Sequence, residues 1–154
     1  MVRVIEERLG ELGIELPPAP APVASYVPVA VAGDLAFVAG QVPIEDGQVM
    51  LTGRLGDVVG IEEGQEAARR CALQAVSALR DALGSLDRIA QIPQVTVYVA
   101  SIPGFTDQPK VANGASDVLV QIFGEAGKHA RAAVGVVELP LGAPVEVAVT
   151  ARLT

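Results

Sequence analysis

Two ionisable residues stand out for the company they keep. Arg131 opens an otherwise apolar run, Ala130-Arg131-Ala132-Ala133-Val134-Gly135-Val136-Val137. A guanidinium so placed can grip a carboxylate through two parallel N–H···O bonds, which gives orientation as well as affinity. Glu146 is the sole charge between Val145 and Ala151. A carboxylate among valines is costly unless it is paired or reached by water. It could pair with Arg131, or act on a bound water as general base if desolvation raises its pKa. The plainer alternatives are a surface arginine facing a nearby acid and a solvent-facing glutamate on an edge strand.

Other reactive types are scarce. His129 lies two residues before Arg131, where strand side chains face the same way, and an imidazole there would titrate near neutral pH. A surface loop histidine is the simpler account. Cys71 falls on the apolar stripe of a helix and reads as a small core hydrophobe rather than a nucleophile. One His and one Cys in the whole chain exclude a zinc site built from those ligands. No G-x-S-x-G elbow supports a Ser-His-Asp triad. Neither metal nor cofactor is expected. A net charge of −7 argues against binding a nucleic-acid backbone, which needs a basic footprint.

These residues need elements to carry them. The 154 residues suit one domain, 1–154. With 3% aromatics and no Trp, its core must be Ala, Val, Leu and Ile. Residues 3–13 form a short amphipathic helix, and Leu16 to Pro22 is too proline-rich for helix interior and reads as an extended connector. Residues 1–25 are thus an N-terminal helix and connector. Strands are expected at 26–31 and 35–39 around a Gly33-Asp34 turn, with a short third strand at 49–51. Apolar residues every three or four positions mark a helix over 62–86. A strand at 94–100, a helix over 105–123 with an awkward Pro109, and strands at 132–137 and 145–153 complete the order.

That order predicts a two-layer α/β (α+β) sandwich, a mixed sheet of about six strands with two long helices on one face. The second sheet face then lacks cover within the chain, and association is the remedy. If 132–137 and 145–151 paired as a hairpin, Glu146 would lie beside Val136 or Val137. It would then sit roughly 20 Å along the sheet from Arg131 at about 3.3 Å per residue, and a shared site would need two subunits. No apolar run reaches the roughly 18 residues of a membrane span. The start of the chain resembles no secretory signal, and a lone cysteine suits a reducing compartment, so the cytoplasm is the expected location.

From Tyr26 onward the chain resembles the RidA/YjgF family. The likeness rests on Tyr26 to Gln41 (YVPVAVAGDLAFVAGQ), on Ala130 to Pro140 (ARAAVGVVELP), similar to the family's A-R-x-x-V-x-V-x-x-L-P, and on the acidic residue in Val145-Glu146-Val147. The longer N-terminus and the string Val111 to Asp117 resemble a longer branch, called chorismate-mutase-like by shape. The resemblance implies a homotrimer packed sheet to sheet around a central barrel, with clefts between subunits. It further implies hydrolytic deamination of small carboxylate-bearing enamines and imines. Arg131 would hold the substrate carboxylate, Glu146 would position water, and Tyr26 would help fix the ligand. Asn113 stands one residue further from Arg131 than the family pattern, with Gly114 in the ungapped place. The family's cleft cysteine is Ala133 here and the serine before Gly-Gln is Ala39, which opens the alternative of a non-catalytic trimer that binds or senses a keto acid. Ribonuclease activity fits poorly with acidic balance and few stacking rings.

Overall fold

The structure, a computed structural model, describes residues 4–21 and 24–154. In chain order it comprises α1 (Ile5–Leu12), β1 (Val29–Ala32), β2 (Leu35–Gln41), β3 (Ile44–Glu45), β4 (Gln48–Val49), α2 (Ile61–Leu83), β5 (Ile89–Ala100), α3 (Gln108–Phe123), β6 (Ala130–Val136) and β7 (Val145–Leu153). The main sheet runs β1-β2-β7-β5-β6, and β3 and β4 make a separate ribbon. The main sheet therefore has five strands rather than six. The strand expected near 49–51 belongs to the ribbon, whose turn residues Asp46 (φ 52°) and Gly47 (φ 79°) suit a tight type I′ hairpin. Tyr26 precedes β1 instead of starting it.

Pairing is antiparallel except between β5 and β6. A helix separates those two strands, so the chain re-enters the sheet in the same direction, as a crossover requires. The hairpin contemplated between β6 and β7 does not form. β5 lies between them, and residues 137–144 carry the chain across its end, where Ala100 N–H bonds to Pro144 O (2.9 Å) and Ser101 N–H to Val136 O (3.0 Å).

Alternation decides the faces. Val145, Val147, Val149, Ala151 and Leu153 of β7 are buried beneath the helices, while Glu146, Ala148, Thr150 and Arg152 point the other way. Val95, Val97 and Val99 join the buried side. α2 is covered all round from Cys71 to Leu79, which explains its small side chains: larger ones would not fit between sheet, α3 and connector. Gly84 (φ 80°) ends α2, and Pro109 sits in the first turn of α3, where its missing N–H costs nothing. The helix therefore starts at 108 rather than 105. Cys71 is fully buried; burial first, and then the charge of Glu146, push its thiol well above the ordinary range. It belongs to the core. Among the described residues no helix is long and apolar enough to cross a membrane.

The other sheet face lies open. Its rows run Phe37–Thr150–Gln94–Ala130, Ala148–Thr96–Ala132 and Glu146–Tyr98–Val134, with Phe37 45% and Val134 42% exposed.

Candidate functional site

Arg131 stands opposite buried Val95 on the rim strand β6, so its side chain turns toward α3. There Nη1 donates to Asn113 Oδ1 (2.8 Å) and Ser116 Oγ (3.1 Å). Those acceptors are three residues apart, hence on one face of the helix. Ser116 Oγ is 2.9 Å from His129 Nε2, and His129 Nδ1 is 2.6 Å from the Gly127 carbonyl. A carbonyl only accepts, so Nδ1 carries a proton. In the neutral ring Nε2 then accepts from the serine hydroxyl, whose oxygen accepts from Arg131. The guanidinium is exposed yet fastened. Its partners are neutral, and the ion pairs found among the described residues involve other side chains. Its charge is therefore uncompensated and its outer edge free to meet an anion.

Asn113, out of register by simple counting, is thus a direct partner of the arginine, and His129 joins the same cluster rather than an unrelated loop. Ser116 was missed by sequence reasoning, although its spacing from Asn113 on a helix was the available signal. Ala133 follows Arg131 on the same face, opposite buried Val97.

Glu146 points out of the opposite face. Its row, through Tyr98, lies three residues from the row of Arg131 and two strands away, about 10 Å along the sheet and about 10 Å across it. One chain does not bring the two together. The half-buried carboxyl packs over Gly40, where a Cβ would collide with Glu146 Oε2; glycine makes the room. Burial raises the pKa of Glu146 above the ordinary 4.5, and it belongs to none of the ion pairs found.

The carboxyl opens onto a cavity of about 740 Å³. Tyr26 lies on it, 52% exposed, as do the proline connector Pro17–Ala21, the β3–β4 turn, and Arg70 and Gln74 of α2. The connector is pinned by the Ser77 hydroxyl, which donates to Pro17 O at 2.6 Å. Gln74 is spent on its neighbours: Nε2 donates to Val42 O (2.8 Å) and to Gln41 Oε1 (3.3 Å), and Oε1 accepts from Ile44 N–H (2.8 Å). Sequence reasoning overlooked Arg70 and Gln74. A buried glutamine in an otherwise apolar helix face was the signal for the second. Among the described residues no group of three or more His, Cys, Asp or Glu could hold a metal ion.

Residues 6–153 match a family model described as "YjgF/chorismate mutase-like, putative endoribonuclease". The protein named TCP17 of Trypanosoma cruzi is 49% identical over 144 residues, 93% of this chain and 90% of that one. A crystal structure of a protein of unknown function from Agrobacterium tumefaciens is 41% identical with a TM-score of 0.89, covering 98% of this chain and 94% of that one. A "putative endoribonuclease" from Shewanella oneidensis superposes with a TM-score of 0.93 at 34% identity, covering 98% of this chain and all of its own (100%). The YjgF gene product of E. coli is more distant, 25% identical with a TM-score of 0.61 over 87% of this chain and 92% of that one. Fold, strand order and these matches agree: the chain belongs to the YjgF/chorismate-mutase-like family.

Proposed function

We propose that the protein is a hydrolytic deaminase of small carboxylate-bearing enamines and imines, working at sites shared between neighbouring subunits of a homotrimer. The observation that carries this reading is Glu146, a half-buried carboxyl raised by burial, without an ion-pair partner among the described residues, opening onto a cavity of about 740 Å³. A base of that kind can take a proton from water near neutral pH. Arg131 supports it from the other side: a fastened, uncompensated guanidinium suits a substrate carboxylate. The separation of the two within one chain favours a site where the rim strand β6 of one subunit meets the cavity of the next.

The chemistry then balances. Water attacks the carbon of the protonated C=N bond while Glu146 takes one of its protons. The carboxyl returns that proton to nitrogen in the resulting carbinolamine. Glu146, ionised again, takes the hydroxyl proton as the C–N bond breaks and the C=O bond forms; ammonia leaves, picks up that proton as ammonium, and the keto acid departs. Arg131 holds the carboxylate throughout, and Tyr26 offers its hydroxyl at the rim.

A second reading, a non-catalytic trimer that binds a keto acid, is favoured by Ala39 and Ala133, which supply no polar or reactive group. One experiment separates them. A freshly generated imine is followed with wild type, Arg131→Ala and Arg131→Lys. The enzyme reading expects Arg131→Ala to lose roughly ten- to hundredfold in kcat/KM, with incomplete recovery by lysine, which cannot form the two-pronged contact. No acceleration by wild type over several imines, together with a Tm rise on adding keto acid, establishes the binder instead.

A further inference from the structure

We infer that Arg70 supplies the Glu146 cavity with a second anion-binding group, so that its ligand carries two carboxylates, one at each end of a short chain. This rests on the reading above in one respect: the first carboxylate is the one Arg131 holds.

Arg70 lies on α2 one turn before Gln74, and both line the cavity. Its Nε donates to Ile44 O at 2.8 Å, which fixes the plane of the guanidinium and leaves both terminal nitrogens for another partner. The same residue is held at its other end, since Ile44 N–H bonds to Gln74 Oε1. The arginine is thus mounted on a braced wall rather than waving from a helix. Its charge has no acid to answer it: Asp46 and Glu146 line the same cavity, yet neither pairs with it among the described residues. The raised pKa of Glu146 traces to burial. A cation half out of water, oriented and unpaired, is a place for a ligand anion.

Size agrees with charge. About 740 Å³ lies inside the range of about 300–1,000 Å³ that takes drug-sized molecules, far more than a three-carbon acid fills. A longer substrate can place its reacting carbon at Glu146 while its far carboxylate reaches Arg70. The imines that fit are those of acidic amino acids, and the products are dicarboxylic keto acids.

Calorimetric titration of the assembled protein with α-ketoglutarate and α-ketovalerate tests this, because the two differ only by the far carboxylate. Wild type should prefer α-ketoglutarate by about tenfold or more, the usual worth of a hydrogen bond to a charged group. Arg70→Gln should erase that preference and leave the α-ketovalerate affinity unchanged, which also certifies its fold. If Arg70→Gln does not fold, Arg70→Lys decides: its preference must shrink, since an ammonium cannot match both oxygens. A wild-type ratio near one, or a ratio untouched by substitution at Arg70, overturns the inference. Arg131→Ala reads the other claim separately. If it leaves both affinities intact, the anchor of the proposed function is wrong while the ratio still judges Arg70; if neither acid binds wild type, both fall.

Discussion

At the residue scale, Glu146 combines two properties that pull in opposite directions. Burial favours its protonated form in the folded protein, so the ionised carboxylate is a cost to stability. The sign follows from proton linkage: with the folded pKa above the unfolded one, the native state binds more protons between them and stability falls as pH rises through that window. Above the raised pKa the cost is fully present; below the ordinary carboxylate range it is absent. Glu146→Gln should therefore melt slightly higher than wild type near pH 7, by no more than about 1 kcal/mol because water screens a half-exposed group, and show no such gain near pH 4. The same variant should lose imine hydrolysis, and the wild-type kcat/KM should drop with acid on a limb displaced above 4.5. Thermal melts at both pH values with a pH–rate profile check this. A lower melting point for Glu146→Gln near neutrality, or an acid limb at the ordinary value, contradicts it.

At the scale of elements, the arginine is only as well placed as α3. That helix meets α2 so closely that a Cβ on Gly114 would run into the backbone carbonyl of Gln65, while Gly64 packs on Val111. Gly114→Ala must push the helices apart, and overpacking of this kind costs about 1–3 kcal/mol. Because Asn113 and Ser116 flank that contact, the variant should also weaken carboxylate binding. Denaturant melts and keto acid titration measure the two effects; a fully stable Gly114→Ala refutes the close approach. The same helix shows what a sequence can and cannot tell. Its periodicity is local and was legible, as were the alternation of β7 and the small-residue stripe of α2. Its contact with Arg131 was not, because a count of residues between Asn113 and Arg131 says nothing of how the 3₁₀ turn at Gly124–Gly127 leads from α3 into β6. Strand order was obscured for a similar reason. β6 and β7 are neighbours in sequence with a short connection, and only the long-range pairing of β7 with β2 and β5 separates them. A strand–helix–strand run before β6 was the clue to its parallel partner.

At the scale of the molecule, the open sheet face needs an occupant. Phe37, Val134, Ala130, Ala132 and Ala148 share it, and a face of this kind left in water invites association. Leu141 adds to the case: it is 72% exposed, sits in the left-handed region (φ 62°) and borders the Glu146 cavity, a strained backbone that a neighbour's contact would offset. If three copies close around this face, each site draws Arg131 from one subunit and Glu146 from the next. That arrangement has a signature no single-chain site can produce. Arg131→Ala and Glu146→Gln, each strongly impaired alone, are unfolded together in equal amounts and refolded as mixed trimers. In a ring with one arginine donor and one glutamate donor per site, random assembly makes both members intact in about a quarter of the sites. Recovery of about a quarter of wild-type hydrolysis is therefore expected, and Phe37→Glu, which charges the shared face, should yield smaller particles by light scattering and abolish it. Mixed trimers without any recovered activity would exclude a site shared between subunits and break the link between assembly and chemistry.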